Sequence, residues 1–361
     1  MDPTEKALVP GRATSEGTGR YARRHGLRTG PTITPALVLP SLGLGTGGYG
    51  APGDPTPPLA LTGAVTAAFE GGLNHVDCAI TYGAGLAEQV VGSALSEGIE
   101  RGAWGRDEIV VVTKGGYLHL DPASFERAFL RPGLCGPDDV TRGHCLAPAF
   151  LRAQVDQSRS NLRLETLDVY LLHNPEEQLV ARGPAVFRRQ VCLAFAAMEE
   201  LLAAGAIGAY GVAAAEGFVT AGAGFHPVDL FFDCAREVAG DGHRFRYVEL
   251  PCGLVRRHAF TARNHEAPGG GHRTVLEACE AAGLTVLGSA PLDGARTRIP
   301  IPDLLRSLCP SLDSDVGVAL QFARSIPAVT TSLVGMRSAA HVAAALRLAS
   351  LPPLDLLAAA G

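Results

Sequence analysis

The sequence is short of charge, of aromatic rings and of long apolar runs. Charged residues make up 19% and aromatic residues 6% of the 361 positions, with one tryptophan and three methionines. Lysine and arginine number 31 against 36 acidic residues, a net charge of −5, which excludes the basic footprint that nucleic acid or an anionic membrane surface requires. No stretch reaches the roughly 18 consecutive apolar residues of a membrane helix, and the polar segment 1–30 lacks the apolar core of a secretory signal. No Cys-x-x-Cys pair occurs among the cysteines at 78, 135, 145, 192, 234, 252, 279 and 309, so reduced thiols in a cytoplasmic protein are expected rather than a disulfide framework. The partners that remain are small molecules, with no nucleic acid and no membrane.

What is present is alternation. Short apolar or β-branched runs fall at 40–46, 73–77, 109–114, 167–173, 207–212, 245–250, 284–289 and 328–334. Between and after them lie Ala-, Leu- and Glu-rich runs of helical length at 58–70, 86–97, 148–161, 184–204, 227–238, 273–282, 314–323 and 339–349. This pattern predicts an α/β fold of the (β/α)8 or TIM-barrel type, one domain over 31–361, with 1–30 as a flexible, partly disordered arm. A doubly wound open sheet is the competing reading. Its Gly-rich dinucleotide turn is not met by Gly43-Leu44-Gly45-Thr46-Gly47-Gly48, because the turn-rich residues 49–58 follow instead of a helix. The Pro-, Gly- and Asp-containing stretch 117–147 is too long for an ordinary connection after the third strand and reads as a lid or specificity loop. The segment 218–242 holds a weaker helix between Gly-containing flanks.

In a barrel the C-terminal strand ends meet at one mouth. Here the second strand ends in Asp77, the third in Lys114 and the fourth in His173, while Tyr82 follows five residues after Asp77 in a Thr-Tyr-Gly loop. A phenol titrates near pH ~10, and a nearby ammonium lowers that value by stabilising the phenolate. Lys114 supplies the ammonium, Asp77 its counterion, and His173 a hydrogen bond to the oxygen that Tyr82 addresses. Such a set suits proton transfer at a carbonyl or alcohol oxygen. No side chain donates hydride, so redox chemistry here requires a cofactor. Gly335-Met336-Arg337-Ser338 opens the last helix, where backbone N–H groups and the helix dipole favour an anion and Arg337 adds charge.

These residues resemble the aldo-keto reductase family over about 41–348: Asp77, Tyr82, Lys114 and His173 in order, Gly-Leu-Gly-Thr at 43–46 and Gly-Met-Arg-Ser at 335–338. The resemblance implies a barrel that binds NADP(H) across its mouth and reversibly reduces aldehydes or ketones. It assigns Tyr82 as general acid, Lys114 as the group that tunes it, Asp77 as the lysine's partner and His173 as the residue that orients the carbonyl. By the same resemblance the cofactor is held by Gly45, Thr46, Asn174, Glu249, Ser289, Leu292, Gly335, Arg337, Ser338 and His341. The expected function is an NADPH-dependent oxidoreductase acting on a small organic or secondary-metabolite substrate. The alternative keeps the same Tyr-Lys-Asp-His set for non-redox acid-base chemistry, such as elimination, cyclisation or isomerisation.

The chain departs from the family pattern where the nicotinamide is held. Ser-Asn after the fifth strand is replaced by Ala213-Ala214, a strand-six Gln by Glu249, and a stacking Tyr after strand seven by Ser289. His341 and Ala345 stand near the position of the adenine. Tyr49, Tyr117 and Phe218 are candidates to line a substrate pocket shaped by 117–147 and the tail 352–361. His119, His144, Cys135 and Cys145 share the long loop, but their spacing fits no zinc pattern, so no metal is expected.

Overall fold

The computed structural model describes residues 7–30, 37–51, 53–295 and 299–356. Among them eight parallel strands close a barrel: β1 (Leu42–Gly45), β2 (His75–Asp77), β3 (Val110–Gly115), β4 (Leu167–His173), β5 (Ile207–Ala213), β6 (Phe245–Pro251), β7 (Thr285–Ser289) and β8 (Val329–Gly335). Each strand pairs with its sequence neighbours, and β1 closes on β8 through Leu42 opposite Ser332 and Gly45 opposite Gly335. Every expected strand is present. Runs such as Val110-Val111-Val112-Thr113 carry β-branched side chains on both faces, which suits a sheet buried on both sides. Inward-facing Val110, Val112, Val169, Leu171, Tyr247, Leu287 and Leu333 fill the barrel below its mouth.

The outer faces pack on helices. In chain order, α1 is Ser15–His25, α2 Pro58–Gly71, α3 Leu86–Glu100, α4 Pro148–Leu162 and α5 Pro184–Ala203. They are followed by α6 (Val228–Ala239), α7 (Val275–Ala281), α8 (Asp315–Ala323) and α9 (Ala339–Ser350). The weak helix expected within 218–242 is α6, fixed by Phe231, Cys234 and Ala235 on its buried face. No helix among the described residues is long and apolar enough to cross a membrane.

The segment 1–30 differs from the flexible arm expected of it. Residues 7–30 are folded against the end of the barrel opposite the mouth, and 1–6 lie outside the described residues. Thr14 caps α1 by accepting from Gly17 N, Gly26 ends it at φ 62°, and Tyr21 is buried. Ala13 N donates to Asp168 at the start of β4, and Arg20 and Arg24 pair with Glu108. The polar composition that suggested disorder is used in these long-range contacts. The tail behaves similarly: Gln321 donates to Pro352 O and Leu354 N to Ser325 Oγ. Residues 352–356 therefore dock at the end of α8, beside Ser41, away from the mouth they were expected to shape; 357–361 lie outside the described residues.

The long stretch 117–147 builds a small unit whose core, Phe125, Phe129, Cys135 and Cys145, packs on Phe150 of α4. A short hairpin, Val140–Thr141 with His144–Cys145, is stitched to the exit of β3 by Leu118 N to Gly143 O and Cys145 N to Gly116 O, both 2.7 Å. This places the unit at the mouth.

Candidate active site

The adjacent ends of β2 and β3 carry the central ion pair. Lys114 on β3 is fully enclosed, and its ammonium donates to both carboxylate oxygens of Asp77 on β2 and to Cys78 O at 3.2 Å. Two contacts from the residue after β1 fix Asp77 from behind, because Thr46 N and Oγ1 both donate to its carbonyl at 2.9 Å. A buried ammonium without a partner is expensive; here it has two acidic ones, since Glu249 Oε2 on β6 lies 3.1 Å from Nζ. Burial depresses the lysine's tendency to stay charged, but Asp77, Glu249 and Tyr82 outweigh it and hold its pKa well above the ordinary value.

Tyr82 is carried by a tight turn after β2, in which Gly83 and Ala84 take left-handed backbone angles (φ 59° and 54°). Gly50 in the loop after β1, at φ 71°, lies so near that a Cβ there would come within 2.4 Å of Gly83 Cα. The Tyr82 ring sits 5.6 Å from Lys114 Nζ and meets the His173 ring edge-on at a centroid distance of 6.0 Å. Burial pushes the phenol pKa up; Lys114 opposes that shift, and Asp77 and Glu249 add to it. The phenol is therefore protonated at neutral pH. Burial, then repulsion by Lys114 and His144, holds the His173 pKa down at about 3, so its imidazole is neutral and keeps one N–H to donate. The four residues expected to meet at the mouth are brought together.

The long loop supports this side of the mouth. His144 Nε2 lies 2.8 Å from His173 O, and Gln178 donates to His144 O at 2.8 Å. Tyr117 stands edge-on to both imidazoles, with centroids 5.0 Å from His144 and 5.2 Å from His173. Gln154 on α4 accepts from Gly116 N and donates to Tyr117 O, both at 2.8 Å. His144 and Gln178 carry no sequence signal for this role; His144 attracted notice only as a possible metal ligand. Among the described residues no group of three or more His, Cys, Asp or Glu side chains is placed to hold a metal ion.

The remaining expected site residues divide. Tyr117 is half-buried beside His173, as a pocket residue requires, and Asn174 donates to its hydroxyl at 3.2 Å. Tyr49 and Phe218 are corrections. Tyr49 is 3% exposed and abuts Gly83 from beneath the loop, while Phe218 is 1% exposed and packs on His226 and Phe231 outside the barrel. Burial in apolar surroundings decided both positions, and a ring in a loop carries no sequence mark that separates lining from packing. Glu249, expected among the nicotinamide contacts, turns instead to Lys114 in the barrel interior. Leu292 is partly buried against the hydrophobic core, and Thr46 is buried as a tie between β1 and β2, its hydroxyl engaged with Asp77 O.

The opposite side of the mouth offers an anion cradle. Gly335 is exposed with open space where a Cβ would stand, Arg337 is half-buried, and Ser338 Oγ accepts from His341 N at 3.3 Å as the N-cap of α9. Ser289 and Gly45 are half-buried at neighbouring strand ends. A helix N-terminus, a guanidinium and a small-residue surface form a donor set of the chemistry that a dinucleotide phosphate needs, so this side fits the cofactor. Ala213 and Ala214 are buried and bring no side-chain hydrogen bond to the nicotinamide side.

Residues 41–219, about half of the chain, match the family model described as the Aldo/keto reductase family. That stretch holds Asp77, Tyr82, Lys114 and His173. A D-threo-aldose 1-dehydrogenase from a Pseudomonas species is 30% identical over 182 residues, covering 49% of this chain and 50% of that protein. The chain therefore spans about half the length of this relative. The aldo-keto reductase AKR11C1 from Bacillus halodurans, solved in a holo form, superimposes with TM-score 0.61 at 20% identity, covering 92% of this chain and 93% of that one. An aldo/keto reductase from Klebsiella pneumoniae, solved with NADP and acetate, gives TM-score 0.61 at 22% identity over 92% of each chain. With its closed eight-stranded barrel and this match across the strands that bear Asp77, Lys114 and His173, the chain belongs to the aldo/keto reductase family.

Proposed function

We propose that the protein is an NADPH-dependent oxidoreductase that interconverts a carbonyl and an alcohol on a small organic substrate, with Tyr82 moving the proton. The observation that carries this reading is the convergence of the Tyr82 phenol, the ion-paired Lys114 and the neutral His173 at one end of the barrel. The relatives solved in holo form or with NADP accord with it. Eight free cysteines accord with a reducing, cytoplasmic setting.

NADPH, when bound, supplies the reducing equivalent that no side chain can give. Gly335, Arg337, Ser338 and the first N–H groups of α9 would hold its phosphates, and the guanidinium favours the cofactor form with the additional phosphate. The protein's own residues handle the proton. His173 donates an N–H to the substrate oxygen and fixes its direction. The Tyr82 O–H gives up its proton as charge grows on that oxygen, and the Lys114 ammonium stabilises the phenolate left behind. In the reverse direction the phenolate takes the proton back. Asp77 keeps Lys114 charged and fixed on the mouth side of the barrel. Tyr117, beside His173 and held by Asn174, lines the substrate side.

Removal of the phenolic hydroxyl tests the assignment. Tyr82→Phe is expected to bind NADPH, read by thermal shift, and to lose about two to four orders of magnitude in turnover of a probe such as 4-nitrobenzaldehyde. Undiminished turnover in Tyr82→Phe contradicts the proton donor. No binding at millimolar NADPH sinks the redox reading, and catalysis that is indifferent to the cofactor supports acid-base chemistry alone.

A further inference from the structure

We propose that Glu249 is a positioning residue of this site: a carboxylic acid that keeps its proton and so leaves the Lys114 ammonium free to stabilise the Tyr82 phenolate. The inference rests on the reading of Tyr82 as the proton-transfer residue. It begins from a count of charges. One buried ammonium meets two buried carboxyls, Asp77 and Glu249, whose side chains are 5% and 9% exposed. With both ionised the cluster carries a net negative charge in the barrel interior, directly opposed to forming a third anion on Tyr82.

The geometry offers a way out. Lys114 gives both of its short contacts to Asp77, while Glu249 Oε2 is sealed from solvent, 3.1 Å from Nζ and without a hydrogen bond from any donor group. Glu249 and Asp77 share the one ammonium, and their interaction favours the neutral form of Glu249 and the ionised form of Asp77. Among the described residues no other group relieves Glu249. Its neighbours across the sheet are Ala213 on β5 and Leu287 on β7, neither of which ionises. Among the described residues the charged or titratable groups that face the cluster are His75 and Asp77 from β2, Lys114 from β3, His173 from β4, and Cys78 and Tyr82 from the turn after β2. Burial, then repulsion by Asp77, lifts Glu249 to about 8 against the pull of Lys114.

A neutral Glu249 adds no second negative charge beside the lysine. The field of Lys114 then reaches Tyr82 less compensated. Once Glu249 loses its proton, the added negative charge raises the phenol pKa further and weakens Tyr82 as an acid. Glu249 therefore acts through Lys114, and its ionisation closes the alkaline side of the activity.

The test has two arms. Infrared difference spectra of the full chain between about pH 6 and about 10 follow the C=O stretch of a protonated carboxyl, a band that carboxylates lack. The wild type is expected to lose such a band with a midpoint near 8, and Glu249→Gln to lack it. No band in the wild type, or the same band in the Gln variant, overturns the proposal. This arm needs no turnover, so it stands apart from the reductase reading. In the second arm, with NADPH and 4-nitrobenzaldehyde, the ratio of kcat/KM at about pH 9.5 to that at about pH 7 is expected to be about tenfold higher in Glu249→Gln than in the wild type. A purely structural glutamate moves the absolute rate and leaves that ratio unchanged, which also overturns the proposal. Absence of turnover in every form counts against the reductase reading and leaves the infrared result to decide Glu249.

Discussion

Arg337 donates to Asp54, so the segment between β8 and α9 is tied to the loop after β1 across the cofactor side of the mouth. Asp54 is built to stay ionised there. Burial pushes its carboxyl up, but hydrogen bonds from Thr56 and Gly50 and the Arg337 charge outweigh that and hold its pKa below the usual range. A phosphate that takes Arg337 must compete with this carboxylate. Asp54→Asn is expected to tighten NADPH about three- to tenfold, on the order of 1 kcal/mol, and NADH less, in a calorimetric titration of both cofactors. Weaker or unchanged NADPH binding in the variant contradicts the competition.

Lys114 holds two buried carboxyls, so its removal is a stability experiment as well as a catalytic one. Lys114→Met leaves Asp77 and Glu249 facing each other without a cation, a change that costs ~3–5 kcal/mol. Adding Asp77→Asn is expected to recover part of that loss, because it removes a charge the single variant strands. Urea denaturation of the two variants decides the point: equal midpoints would mean that the carboxyls neutralise themselves by protonation.

His144 bears on the mouth through the backbone rather than through substrate. Its contact with the His173 carbonyl lies next to Asn174, which turns the chain out of β4 in the left-handed region at φ 49°, so the hydrogen bond fixes the backbone where the strand ends. His144→Phe keeps a ring beside Tyr117 and loses the hydrogen bond. We expect kcat for a carbonyl probe to fall about tenfold or more with the NADPH Kd within about twofold, since a small displacement of His173 misplaces the substrate oxygen. Unchanged kcat with weakened cofactor binding would assign His144 to the wrong half of the site.

Three buried histidines set the acid limit of stability. Burial holds His75, His144 and His173 at about 3, 4 and 3, below the ordinary 6.5. Between those values the unfolded chain binds protons that the folded chain refuses. Their contribution is therefore complete above about 6.5 and is lost as the pH falls through the window down to about 3. Urea midpoints are expected to drop steadily below about pH 6.5, and His75→Gln, which removes a titrating ring with no hydrogen-bond partner of its own, should flatten the slope. A slope unchanged in that variant would show that His75 does not contribute.

The sequence alone determined the barrel and the proton-transfer set. Eight β-favouring runs alternate with helical runs, and Asp77, Lys114 and His173 fall at strand ends that a closed parallel barrel must bring together, so local pattern and topology agree. Tertiary structure decided what pattern does not encode. The polar segment 1–30 reads as an unpartnered arm until Asp107, Glu108 and Asp168, more than 80 residues away in sequence, accept its hydrogen bonds. Tyr49, Tyr117 and Phe218 are alike as loop aromatics, and only packing separates the one beside His173 from the two that are buried. Glu249 shows the physical reason most plainly: the sequence placed it at the right level of β6, but whether a carboxyl there meets a cofactor or a buried ammonium depends on which charges the closed barrel leaves uncompensated.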